Sequence, residues 1–145
     1  MAQKTLYSRP LNLYDFETTA KWLEGEWSAF CTFTYHRRMT LKSARRKMEA
    51  LQEYLVNLYG PEIRMFWVTE PFRDNNSCHV HALIKIPGSP EGLETSILTA
   101  WHKVAPPAGY KKHSLTSISQ YEPGRGGHYY VAKYLQSDKV DWDIF

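Results

Sequence analysis

His79 and His81 stand one residue apart in the run Cys78-His79-Val80-His81-Ala82-Leu83-Ile84-Lys85-Ile86. Even positions in this run are apolar throughout and odd positions are mixed, which is the period of an extended strand with one packed face. Same-face residues on a strand are about 7 Å apart along the chain, so two imidazoles leaning together can share one divalent ion. Neutral imidazole is a common ligand for such ions. The competing reading is a solvated or hydrogen-bonded histidine pair with no ion.

A third ligand separates these readings, and Glu70 supplies a candidate. It ends the β-rich run Met65-Phe66-Trp67-Val68-Thr69-Glu70, and the polar turn sequence Asp74-Asn75-Asn76-Ser77 follows before the histidine strand. A hairpin across that turn brings Glu70 beside His79 and His81. One carboxylate with two imidazoles makes a mixed oxygen and nitrogen set, suited to Mg²⁺ or Mn²⁺ and leaving positions open for water or substrate.

The second chemical cluster is His128-Tyr129-Tyr130-Val131-Ala132-Lys133-Tyr134-Leu135-Gln136. In a helix, Tyr130 lies three residues before Lys133 and four before Tyr134, so the three share a face. A phenol has a pKa near 10 and is a poor nucleophile until a cation or base favours its phenolate. Lys133 supplies positive charge, and an ion at Glu70, His79 and His81 would polarise a phosphate oxygen and the departing 3′ oxygen. Attack by Tyr130 on phosphorus would leave a 5′-phosphotyrosine. Tyrosines on an amphipathic helix also serve as packing residues with wet hydroxyls, and that reading stays open, for Tyr134 in particular. Tyr129 is read as structural, with its spacing of four to Lys133 keeping it in reserve.

These residues need a scaffold, and the chain predicts one of α+β type. Ser28 to His36 contains Phe30-Cys31-Thr32-Phe33-Thr34-Tyr35 and reads as a central strand. Thr40 caps a helix whose apolar residues Leu41, Ala44, Met48, Leu51, Leu55 and Leu58 step by three and four up to Gly60-Pro61. Its first turns carry Lys42, Arg45, Arg46 and Lys47, read as a solvated face or as a contact for phosphates. Glu91 to Ala105 reads as a helix through Leu93, Ile97, Leu98 and Trp101, and Ser114 to Ser119 as a strand. Asp15 is positioned to cap a short entry helix, and Trp142-Asp143-Ile144-Phe145 is an apolar ending that suggests a docked tail. The order strand, helix, strand, strand, helix, strand, helix fits a ferredoxin-like (RRM-like) antiparallel sheet with helices on one face.

The chain has 145 residues, a single-domain size, with 43% hydrophobic residues and a formal charge of +3. That mild basic bias permits a nucleic-acid partner without demanding one. Two cysteines, Cys31 and Cys78, fall in apolar strand-like runs, which favours buried free thiols over a disulfide scaffold. No signal-peptide core and no stretch of about eighteen apolar residues is present, so the expectation is a cytoplasmic protein without a membrane partner. Arg37, Arg38, Lys111, Lys112 and Arg125 fall in loops where cations could meet a DNA backbone.

Taken together, the motifs resemble the HUH endonuclease superfamily, particularly the rolling-circle replication initiators of small phages and plasmids. Phe30 to Tyr35 looks like that family's first strand motif, His79-Val80-His81 has its histidine, hydrophobic, histidine pattern, and Glu70 stands where many initiators place a third ligand. Tyr130-Val131-Ala132-Lys133-Tyr134 is similar to the two-tyrosine helix of phage initiators. The resemblance implies a metal site on the open sheet face with the tyrosine helix across it. It also implies nicking and rejoining of single-stranded DNA at a replication origin, with Tyr130 and Tyr134 alternating or Tyr130 acting alone, and Lys133 giving electrostatic support or positioning the metal.

The chain lacks the Gly-x-x-x-x-Gly-Lys-Ser/Thr loop of initiators that carry a helicase domain, so it is read as one nuclease domain over residues 1–145, monomeric or weakly dimeric. Strand separation is then left to supercoiling, a host helicase or sequence beyond these 145 residues. Alternatives are an HUH transposase or relaxase with the same chemistry, and a non-catalytic module that binds single-stranded nucleic acid.

Overall fold

The computed structural model describes residues 27–71, 77–106, 116–122 and 140–145. Seven elements follow in order: β1 (Ala29–Phe33), α1 (Leu41–Tyr59), β2 (Arg64–Pro71), β3 (Cys78–Lys85), α2 (Leu93–Val104), β4 (Ser117–Gln120) and β5 (Trp142–Ile144). The strands form one antiparallel sheet in the order β4-β1-β3-β2-β5. The first four strands with their two helices reproduce the strand order of a ferredoxin-like fold, and β5 extends the sheet beyond β2.

Period-2 alternation sorts side chains between two faces. Ala29, Cys31 and Phe33 of β1 join Met65 and Trp67 of β2 and Val80, Ala82 and Ile84 of β3 in the main core. Onto this face pack Ala44, Met48, Leu51 and Leu55 of α1 and Leu93, Ile97, Ala100 and Trp101 of α2. Each fully buried side chain of Val, Leu, Ile, Phe or Met size contributes about 1.5–3 kcal/mol. Thr40 caps α1 by accepting from the Ser43 amide at 3.1 Å, as its residue type predicts. Gly60 ends that helix at φ +101°, a conformation that favours glycine.

Several expectations need revision. β1 stops at Phe33, short of the expected His36, and its neighbour β4 starts at Ser117. Leu41 and Leu58 are 40% and 53% exposed: a helix of this length, at about 1.5 Å per residue, outruns the strands beneath it. Arg45 is buried, not part of a solvated face. Its Nε and one terminal nitrogen bond both carboxylate oxygens of Asp141 at 2.8 and 2.9 Å. The other terminal nitrogen bonds Asp143 at 2.6 Å, and the guanidinium lies 5.0 Å from the Trp67 ring centroid.

The second face of the sheet is not simply open. Phe66, Val68, Leu83, Tyr121 and Trp142 are buried there in a smaller cluster, with the Phe66 and Trp142 rings 5.8 Å apart. The expected docked tail is thus β5, held to β2 through Phe66 opposite Ile144, Trp67 opposite Asp143 and Val68 opposite Trp142. Both cysteines are buried free thiols. Burial, with a smaller contribution from Asp141, pushes the Cys78 thiol up to about 11. The entry helix expected after Asp15, the Asp74 to Asn76 part of the turn, the stretch Ser114-Leu115 and the tyrosine helix lie outside the described residues.

Candidate metal centre

The hairpin register decides the site. β2 and β3 pair so that Glu70 stands directly opposite His79, and Val68 opposite His81. Across the other edge of β3, Thr32 of β1 stands opposite His81. Glu70, His79, His81 and Thr32 therefore project from the sheet face opposite the helices. They come from three adjacent strands.

The side chains converge on one atom. Glu70 Oε1 lies 2.8 Å from His79 Nε2 and 2.6 Å from His81 Nε2, with the two ring planes nearly perpendicular and their centroids 4.8 Å apart. The three ligand atoms lie within 4.8 Å of one another. Among the described residues no other group of three His, Cys, Asp or Glu side chains converges in this way. His81 is 2% exposed, whereas Glu70 and His79 are half-buried, so the cluster is walled on the His81 side.

A carboxylate oxygen can only accept, so two imidazole nitrogens at hydrogen-bond distance must each carry a proton toward it, or a cation must sit among the three lone pairs. Two neutral nitrogens and one anionic oxygen are a donor set that suits a divalent metal ion. The residues present fit such an ion. Thr32 Oγ1 lies 3.1 Å from His81 Nδ1, and the Phe30 ring meets the His81 ring edge-on at 6.4 Å.

The sequence alone does not single out Thr32. Its even position places it on the same side of β1 as Phe30, but its meeting with His81 depends on a strand pairing 49 residues apart in the chain. Arg37 and Arg38 are exposed just past the end of β1. Lys111, Lys112, Arg125, Tyr130, Lys133 and Tyr134 lie outside the described residues.

A sheet with helices on one face and a carboxylate and two imidazoles gathered on the other defines an α+β protein with a candidate metal centre. The family described as Replication-associated protein ORF2 matches residues 28–139, more than half of the chain. The chain belongs to that replication-associated family. No curated protein and no solved structure gives a match. The matched span includes β1 to β4, Glu70, His79 and His81, and the sequence Tyr130 to Tyr134. It stops short of β5. Among the described residues no helix is long and apolar enough to cross a membrane.

Proposed function

We propose that the chain is an HUH-type replication initiator, a metal-dependent endonuclease that nicks and rejoins single-stranded DNA at an origin through a 5′-phosphotyrosine. The observation that carries this reading is the convergence of His79 and His81 on a single oxygen of Glu70. Membership of a replication-associated family supplies the biological setting. The tyrosine roles rest on the sequence motif.

When bound, Mg²⁺ or Mn²⁺ would polarise the scissile phosphate and stabilise charge on the departing oxygen. Glu70, His79 and His81 would hold that ion. Tyr130 gives up its phenolic proton to solvent, and the Lys133 ammonium stabilises the phenolate. The phenolate oxygen forms a bond to phosphorus while the bond from phosphorus to the 3′ oxygen breaks. That oxygen takes up a proton and becomes a free 3′-OH, which can prime synthesis. Attack by a 3′-OH on the phosphotyrosine reverses the step and rejoins the strand, and Tyr134 is the candidate second nucleophile for a further round. Arg37, Arg38, Lys111, Lys112 and Arg125 are proposed to track the DNA backbone. The protein is proposed to act in the cytoplasm as a monomer or weak dimer, with a host helicase as a partner in strand separation.

The test is a covalent adduct. The protein is incubated with a labelled pool of random single-stranded oligonucleotides and Mn²⁺ or Mg²⁺, and denaturing electrophoresis reads the label on protein. The wild type should form the adduct, Tyr130→Phe should not, and Tyr130→Phe should still bind DNA. Binding without any adduct in the wild type would leave a non-catalytic nucleic-acid module. Loss of the adduct in Tyr134→Phe alone would move the first nucleophile to Tyr134.

A further inference from the structure

We infer that Thr32 is a positioning residue of the metal centre, acting through His81. This rests on reading Glu70, His79 and His81 as the ion's ligands. Thr32 belongs to β1, a different strand from any of the three, and its hydroxyl reaches His81 Nδ1 at 3.1 Å, whereas Glu70 meets the ring at Nε2. Its backbone is held on both sides, by His81 of β3 and by Ser117 of β4. A β-branched side chain is stiff about its first torsion, so the hydroxyl is fixed where the ring needs it. Phe30, two residues earlier on the same face, closes against the edge of the imidazole.

The chemistry explains why a hydroxyl stands at this position. With His81 Nε2 protonated and donating to Glu70, Nδ1 carries a lone pair and the Thr32 hydroxyl donates to it. With Nε2 ligating an ion, the proton resides on Nδ1 and the same hydroxyl accepts it. A hydroxyl serves both states in one geometry. A carbonyl or carboxylate would serve only the second, and a valine methyl neither. His81 is 2% exposed, so an Nδ1 proton left without Thr32 would be costly at this buried site. Thr32 thereby holds the ring so that Nε2, not Nδ1, faces Glu70 and His79.

Outer partners of ligating histidines typically account for about 10–100-fold in metal affinity. Mn²⁺ binding to the purified protein without DNA, measured by calorimetry, should weaken by about that factor in Thr32→Val. Thr32→Ser, which keeps the hydroxyl, should stay close to wild type. Equal binding by wild type and Thr32→Val would overturn the role of Thr32. Equal losses in the Ser and Val variants would overturn it too, because packing alone would then explain the effect. A wild type that binds no Mn²⁺ would instead overturn the ligand assignment on which the inference rests. Should Thr32→Val fail to fold, nitrogen-15 spectra of the Mg²⁺-loaded wild type decide. A slowly exchanging proton on His81 Nδ1 supports the role, and a rapidly exchanging or absent one contradicts it.

Discussion

Thr69 and Glu70 are neighbours on β2, yet they serve two polar clusters on opposite faces of the sheet. On the helix side, Thr69 exchanges hydrogen bonds with the Asp141 backbone, and Arg45 bridges Asp141, Asp143 and the Trp142 carbonyl. On the other side, Glu70 gathers His79 and His81. The first cluster is complete in itself. Burial works against the Arg45 charge, but hydrogen bonds and attraction from the two aspartates outweigh it and hold its pKa above the usual arginine value. The second cluster directs three potential lone-pair donors at one another and is satisfied only by protons or a cation. Charged groups locked to each other belong to the fold; groups that can exchange their shared protons for a cation are candidates for chemistry.

The largest contrast is expected when each cluster loses a member. His81→Ala should abolish the metal-dependent adduct and remove the stabilisation that Mn²⁺ gives the folded protein. At a concentration about one hundred times the dissociation constant that stabilisation is about 2.7 kcal/mol, and melting with and without the ion measures it. Wild-type activity in His81→Ala would show that the cluster takes no part in the chemistry.

Arg45→Ala should act on stability whatever the metal, because it leaves two carboxylates without their shared cation. The expected loss is about 3–5 kcal/mol in chemical denaturation. Glu70→Gln sharpens the contrast: it should eliminate Mn²⁺ binding while shifting ion-free stability by less than about 1 kcal/mol, since an amide oxygen still accepts from an imidazole. An ion-free protein as damaged by Glu70→Gln as by Arg45→Ala would mean that both clusters are structural.

A smaller effect concerns Cys31, on the helix side of the sheet. Burial, then Glu94, raises its pKa above the ordinary 9.0. The folded state thus binds the proton more tightly than the unfolded one, so this contribution to stability is intact below about pH 9 and declines as pH rises above it. Melting curves across that range should fall less steeply in Cys31→Ala, and an unchanged slope would show that the thiol makes no such contribution.

The two clusters also differ in how far the sequence disclosed them. His79, His81 and Glu70 were legible because alternation fixes a strand face and a short turn fixes a hairpin, both local properties. Helix α1 was legible from its apolar stripe, Thr40 and Gly60. Arg45 was not: among Lys42, Arg46 and Lys47 it looks like one more surface cation, and its partners lie 96 and 98 residues away. Thr32 stayed hidden for the same reason, because its parity was visible and its pairing was not. Leu83 and Phe66 are buried by a second cluster that includes Trp142 of β5, and the apolar tail hinted at docking without showing where.

Electron paramagnetic resonance of the Mn²⁺-loaded protein tests the metal centre most directly. The ligand set Glu70, His79 and His81 requires one Mn²⁺ per chain with couplings to two imidazole nitrogens, falling to one in His79→Ala. Bound Mn²⁺ without nitrogen couplings, or no bound Mn²⁺ at all, would contradict it.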